Sequence, residues 1–504
     1  QSNQDAKENC RMHGENKEEC YNFIKVLLKR NDETLFVCGT NAVTPFCRNY
    51  KISTLEPEEK VITGQGRCPY HKQDSNIALF ADGNLYSATV SDYMGRDAVI
   101  YRSIGDSPKL RTFKDDSRWL KNPHFVHAVD YGNYIYFFFH EEAVEYSGLE
   151  KLFLPRVARV CKNDMGGNAE FLENEWTSFL KARLACSIPG DIPFHFNTLQ
   201  AVTDVVKYHG QDVVIAVFTT PSSRIPASAV CAFSLPDIEK VFDGSFKEQK
   251  TPHSRWTPVP DSKVPVPRPG SCAGSGSLEG YASSHDIPRD TLHFLRKHTL
   301  MDKTVESFSH EPWHLRTNAK YWHVKIAVDN AAGPNGDHTV VFLGATDGWV
   351  TKFLARPEGN IFIESMKVYS YEKYPMITGH GSCGGQQRDA IVVDMKVDKP
   401  NEVLYVAFSH CIVRVPLGSC ERHGPCKETL VKNLRVNNVS PLISACLTSR
   451  DPYCGWDCLN LLLDGAVVKP SNITQFMLQS IFSQLVLIIV SSNREILNMV
   501  ISWS

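Results

Sequence analysis

Residues 77–90, IALFADGNLYSATV, read as strand, turn, strand: β-forming side chains flank Asp82 and Gly83, a pair that can take the positive φ angles of a two-residue hairpin turn. The form recurs at residues 124–140, HFVHAVDYGNYIYFFFH, around Gly132 and Asn133, and at residues 339–355, TVVFLGATDGWVTKFLA, around Asp347 and Gly348. DVVIAVFTT and SAVCAFSL, starting at Asp212 and Ser228, make another pair, and residues 391–417 supply three more strands. Each strand is apolar enough to need cover on both faces. That suits radial sheets packed against one another in an all-β propeller, where closing the ring protects the sheet edges. The hairpins are spaced irregularly and more widely than the ~40 to 45 residues of a WD repeat, so insertions interrupt the ring. A β-sandwich is the architectural runner-up, but one sandwich rarely needs this much chain.

Two insertions stand out. Residues 161–186, CKNDMGGNAEFLENEWTSFLKARLAC, join two cysteines to a glycine turn at Gly166 and Gly167. Trp176, Phe179, Leu180 and Leu184 fall at helical spacing there, with Lys181 and Arg183 off the apolar stripe and Asn174 as cap, so a short helix laid on a sheet is expected. The second insertion runs from about Asp237 to Asp302. It is proline-rich at PVPRPGSC and ends in DTLHFLRKHTLMD, whose apolar and basic residues alternate helically.

The chain has 504 residues, beyond the size at which single cores stop growing, and its 42% hydrophobic and 22% charged residues describe an ordinary globular protein. A formal net charge of -2 gives no reason to expect nucleic acid or an anionic membrane as partner. Sixteen cysteines, single or in close pairs and without a CxxC, argue for disulfides and an oxidising compartment. Cys10 with Cys20 and Cys38 with Cys47 are close enough to close small loops, whereas Cys68 has no neighbour and is expected to be a buried free thiol. Cys420, His423 and Cys426 lack a fourth ligand at finger-like spacing, which leaves zinc behind a disulfide knot as their explanation. No metal or cofactor is expected.

Residues 420–458 hold five cysteines in a stretch too short to bury its own core, which indicates a disulfide-stapled module. LVKNLRVNNVSPLIS, at about residues 430–444, interrupts it. Beyond Cys458 the composition changes again, and the longest apolar run, Leu485–Val490, falls far short of the ~20 residues of a membrane span. The two glycosylation sequons, Asn438 and Asn472, fall in these atypical segments.

VCGTNA, RCPY, LPRVARVCKNDMGG, WTSFLKARLACS, SAVCAFSLPDIEKVF, PVPRPGSC and LYVAFSHCIVRVPL together resemble the sema domain of semaphorins. SRDPYCGWD, from Ser449, resembles the start of the plexin-semaphorin-integrin (PSI) module that follows it. KNDMGG, FFFHEEAVEY and GSCERHGPCK are most similar to the class 6, transmembrane semaphorins. The resemblance implies a seven-bladed propeller over residues 1–417 that lacks its first strands, a PSI module over 418–458, and a tail over 459–504 that is not a domain. The interruption and the tail resemble translated noncoding sequence, and the family's membrane anchor is not evident. By the family's pattern, Cys10 pairs with Cys20, Cys38 with Cys47, Cys161 with Cys272, Cys186 with Cys231 and Cys383 with Cys411. Cys420 then pairs with Cys454 and Cys446 with Cys458, leaving Cys426 over.

The function implied is that of an extracellular or cell-surface ligand. It would bind plexin receptors, of class A, as a homodimer, drive repulsive guidance of axons and migrating cells, and use no small-molecule substrate. A receptor of the plexin or scatter-factor-receptor type is the alternative, and a propeller hydrolase the weaker one. No GxSxG, HExxH, P-loop or carboxylate pair supports an enzyme, and the eighteen histidines are scattered. The plexin-facing loops correspond to Arg111–Lys121, with Lys114, Asp115 and Asp116, and to Leu295–His298, with Arg296 and Lys297. Both are charge-dense, as a steered interface or simply a solvated loop would be. Ile225, apolar in a turn rich in Ser and Pro, is the candidate homodimer contact, with local packing as the alternative.

Overall fold

The computed structural model describes residues 4–369 apart from 149, 222–224, 252–253, 318–319, 334 and 357–358, and then residues 387–418, 451–456 and 467–468. The chain forms two compact units, Gln1–Ile326 and Ala327–Ser504. Unit 1 contains four antiparallel propeller sheets. The first comprises Ile24–Lys29, Thr34–Gly39, Phe46–Lys51 and Pro57–Thr63; the second comprises Ile77–Ala81, Asn84–Val90, Ala98–Ser103 and Leu110–Arg111. The third comprises His124–Tyr131, Tyr134–Glu142, Phe153–Cys161 and Leu180–Ala185; the fourth is built from Thr198–Val202, Gln211–Thr219, Ser228–Ser234 and His314–Arg316.

Strand Tyr134–Glu142 shows why such sheets stack. Tyr136 and Phe138 enter the core shared with the fourth sheet, while Ile135, Phe137 and Phe139 enter the core shared with the second. Successive side chains leave a strand on opposite faces, so an all-apolar run serves two cores at once. The first strands of the four sheets neighbour one another in chain order, as blades arranged about an axis require. The Asp82–Gly83 turn has the expected backbone, with φ 48° and 76°, whereas in the other two turns only the glycines, Gly132 at 57° and Gly348 at 79°, take a positive φ.

In unit 2, a sheet from His323–Ala332 to Ile361–Lys367 packs on a three-stranded sheet of Asp394–Asp398, Val403–Ala407 and Ile412–Pro416. Six such sheets are present among the described residues, one fewer than the seven expected. After Pro416 the described residues contain only the short pair Gly455–Trp456 and Val467–Val468. Within unit 2, residues 451–454 are held by Asp451, 2.6 Å from the buried Lys352 ammonium, and by the Tyr453 hydroxyl, which donates to Asp329 at 2.7 Å.

One expectation is overturned. Residues 172–185 contain no helix: Leu180–Ala185 is a strand paired with Phe153–Cys161, from Arg159 opposite Leu180 to Arg156 opposite Arg183. LKARLA satisfies a period of two as well as one near three and a half, and a long apolar neighbour strand was waiting for a partner. Ladder hydrogen bonds and burial on both faces outweigh the mild helix preference of Leu, Lys and Ala. The helix expected at the end of the second insertion does form, as α2 at Arg289–Lys297, and a helix not anticipated from the sequence, α1 at Leu235–Phe242, opens the insertion.

Four disulfides join Cys10 to Cys20, Cys38 to Cys47, Cys161 to Cys272 and Cys186 to Cys231. Cys231 lies in a strand, but Cys272 lies in a run of turns. Cys411 and Cys454 are also disulfide-bonded. Cys383, Cys420, Cys426, Cys446, Cys458, Asn438 and Asn472 lie outside the described residues, as does His423. Cys68 is a buried free thiol whose pKa burial pushes up to about 12, against a small opposing effect of Lys25. No helix among the described residues is long and apolar enough to cross a membrane.

Candidate functional site

The loop after Leu110–Arg111 and the C-terminal end of α2 are far apart in sequence and adjacent in space. Trp119 is fully buried, stacked on Phe179 with ring centroids 5.0 Å apart, and its indole N–H donates to the Arg296 carbonyl at 3.2 Å. The Thr299 hydroxyl donates to the Arg118 carbonyl at 2.7 Å. The Arg296 guanidinium lies over the Phe113 ring at 4.1 Å and the Phe171 ring at 5.7 Å, a cation on two aromatic faces. Two charge-dense segments therefore form one surface over an apolar seat.

The charges on this surface differ in freedom. Asp116 is held by Arg118 in a two-pronged contact, with Nε to Oδ1 at 2.8 Å and Nη2 to Oδ2 at 2.5 Å. Burial works against its charge, but the Arg118 hydrogen bonds and the Arg118 and Arg296 charges outweigh that and keep its pKa below the ordinary value. Burial raises the neighbouring Glu175 carboxyl, against the pull of Arg296 and Arg111. Lys114, Asp115 and Lys297 are exposed, and Asp115 takes a positive φ of 55° at the loop tip. Among the described residues Lys114, Asp115 and Lys297 have no ion-pair partner, whereas Asp116 and Arg296 are partly committed to holding the surface together.

Ile225 belongs to a separate surface. Its side chain is 70% exposed, and its carbonyl accepts from the Thr220 hydroxyl at 2.9 Å, which fixes the loop while leaving the side chain outward. Ladder pairs Thr198–Thr219 and Thr219–Ser228 put the hairpin that precedes Thr198 at the same end of the fourth sheet. That hairpin exposes Ile192 and Phe194, so the apolar surface is wider than one residue.

Lys181 and Arg183 are not on a helix face. Lys181 Nζ lies 2.5 Å from Glu141 Oε1, and Arg156 Nε 3.1 Å from the same oxygen, with all three side chains fully buried. Arg156 also grips Glu145, with both oxygens at 2.7 Å. Sequence reading missed a second hub, Asp164, whose carboxylate accepts from the main chain of Gly166 and Thr177 and from the hydroxyls of Thr177 and Ser178 at 2.6 to 2.9 Å. An Asp two residues before a glycine was the available signal for such a turn. The aromatic seat of Arg296 was missed as well; the aromatics spaced among charges in RTFKDDSRWL were its signal. Among the described residues no group of three His, Cys, Asp or Glu is placed to hold a metal ion.

Known proteins share this fold and sequence. The family description Sema domain matches residues 199–378. The solved structure of the extracellular domains 1-2 of Drosophila Semaphorin 1b is similar at 32% identity and a TM-score of 0.78, covering 94% of this chain and 85% of that one. The chain belongs to the semaphorin family. Within it the class is the sixth, since this semaphorin is 58% identical over 453 residues to mouse Semaphorin-6A. That match covers 89% of the chain but 42% of the relative, so the chain spans less than half the length of the curated protein. A second solved structure, Drosophila Plexin A in complex with Semaphorin 1b, is similar at 32% identity and a TM-score of 0.76, covering 94% of this chain and 85% of that chain. Semaphorins are extracellular or cell-surface signalling ligands, and the disulfides of this chain suit that setting.

Proposed function

We propose that this semaphorin binds a plexin receptor of class A through the joined surface of Lys114, Asp115, Asp116, Arg296 and Lys297. It signals repulsive guidance of axons and migrating cells, and it does so as a homodimer that meets its second copy through Ile225. The observation that carries the reading is the Trp119–Arg296 hydrogen bond of 3.2 Å, which seats two charged segments, distant in the chain, on one surface. The solved complex of a related semaphorin with Plexin A supports the choice of partner. Residues 1–417 are the sema domain in this reading, and 418–458 belong to a PSI module.

The test is binding of the soluble chain to cells that each display one plexin, comparing wild type with Lys114→Glu/Lys297→Glu. Both side chains are exposed, so the fold should survive. We expect at least a tenfold loss of binding to class A plexins, steeper at low salt because charges at an interface rim act largely through encounter. Equal binding of variant and wild type, or binding to no plexin, would overturn the proposal.

A further inference from the structure

The end of the fourth sheet that carries Ile225 also holds a histidine pair, His314 half-buried and His323 fully buried. His314, Leu315 and Arg316 form its edge strand, with Arg316 opposite Ser228 and Leu315 opposite Ala229. His323, the first residue of His323–Ala332, donates its main-chain N–H to Ser228 Oγ at 2.9 Å. Its ring is fully buried, 5.5 Å from the ring of His314 and 6.0 Å from that of Tyr321. Neither ring nitrogen has a hydrogen-bond partner among the described residues.

The charged and titratable groups that act on this imidazole are His314 and Arg316; no carboxylate among the described residues does. Burial first, and then those two neighbours, hold His323 down to about 3. Burial and Arg316 lower His314 as well. The ring is therefore seated only while neutral. A proton on it would be a buried, unpaired cation beside Arg316, the costliest arrangement a side chain can be asked to take.

We propose that the His314–His323 pair is an acid-operated release for the Ile225 surface: in an acidic compartment the protonated pair favours an opened sheet edge, and the second copy lets go. This rests on the reading of Ile225 as a self-association contact. His323 couples to that contact through Ser228, which sits three residues after Ile225 and ends its loop. In the closed edge His323 stays neutral, whereas in an opened edge it titrates near its ordinary value of about 6.5. The opened population at pH 5.0 is then roughly 30 times that at pH well above 6.5.

Hydrogen exchange at pH 7.4 and 5.0, corrected for intrinsic rates, reads that ratio in peptides covering residues 228–230 and 313–316. We expect a roughly 30-fold loss of protection in wild type, and less than about fivefold in His323→Phe, which keeps the ring shape and cannot be charged. His323→Gln serves the same purpose if the Phe variant does not fold. Unchanged wild-type protection, or an equal loss in the uncharged variants, would overturn the switch. Sedimentation of the same samples reads what the switch controls: wild type should dissociate at pH 5.0 and His323→Phe should not. A wild type that stays dimeric while its edge opens overturns the release. A wild type that is monomeric at pH 7.4 overturns the reading of Ile225, and exchange still decides the switch.

Discussion

Replacing Lys181 with Met tests whether the strand from Leu180 to Ala185 is held by a buried ionic network. The Lys181 ammonium lies 2.5 Å from Glu141, with both side chains fully buried. Burial lowers the lysine's pKa and Glu141 opposes that, so the pair is held by its own attraction in a place water does not reach. Methionine keeps most of the volume and removes the charge. Truncating one partner of such a pair typically costs about 3 to 5 kcal/mol. Arg156 remains on the same Glu141 oxygen at 3.1 Å, which argues for the lower end, about 3 kcal/mol. Urea unfolding followed by tryptophan fluorescence reads this well, because Trp119 and Trp176 are both fully buried against this sheet. The double variant Lys181→Met/Glu141→Gln should regain at least about 1 kcal/mol over Lys181→Met alone, since without Lys181 the Glu141 and Glu145 carboxylates share Arg156 alone, and Gln removes the excess charge while its side-chain oxygen can still accept from Arg156 Nε. On an exposed helix face Lys181→Met would stay within about 0.5 kcal/mol of wild type. A loss below about 1 kcal/mol, or strict additivity in the double variant, refutes the reasoning.

Gly167→Ala should destabilise unit 1 by more than about 2 kcal/mol, because an added Cβ would lie 2.0 Å from the Phe171 carbonyl oxygen, and that oxygen belongs to backbone that cannot swing aside. Normal expression and an unchanged melting temperature would count against the turn as described. Glu142 is held down to about 2, first by the Lys121 hydrogen bond and then, against burial, by Lys151 and Asn122. Its folded pKa is below its unfolded one, so its contribution is present above about pH 4.5 and lost as pH falls towards 2. Pepsin should therefore begin to cut residues 143–152 within that window. Lys121→Met/Lys151→Met should move the onset up by roughly one to two pH units, and an unmoved onset would show that Glu142 does not fasten the loop.

The hairpins were legible because period-two alternation and Asp-Gly or Gly-Asn turns are local properties. Two-sided burial followed from composition alone: YIYFFF leaves no polar face for solvent. The strand Leu180–Ala185 was not legible, because six residues fit both periods and the deciding fact is a partner strand some twenty residues upstream. The same limit explains Lys181. A lysine between leucine and alanine looks solvated until Glu141, forty residues away, is placed beside it. The two short-range disulfides were legible from spacing, but the long-range pairs came from family resemblance alone, since Cys161 and Cys272 are separated by 111 residues. The two charged segments were named from resemblance, but their shared seat on Phe113, Phe171 and Trp119 needed coordinates.

That seat also assigns a task to the second insertion. Its closing segment runs along the outer edge of Leu180–Ala185: Lys181 N donates to Thr299 O at 2.8 Å, Met301 N to Lys181 O at 2.9 Å, and Val305–Glu306 adds a parallel strand. An edge left open there would invite pairing with another chain. Because the same segment follows α2 directly, capping the edge fixes where Arg296 meets Trp119. The Cys161–Cys272 bond ties the middle of the insertion to the neighbouring strand of that sheet. Edge protection and presentation of the charged surface are thus one structural act. A weakened edge, through Lys181 or the disulfide, should move the Arg296 surface although neither group touches it.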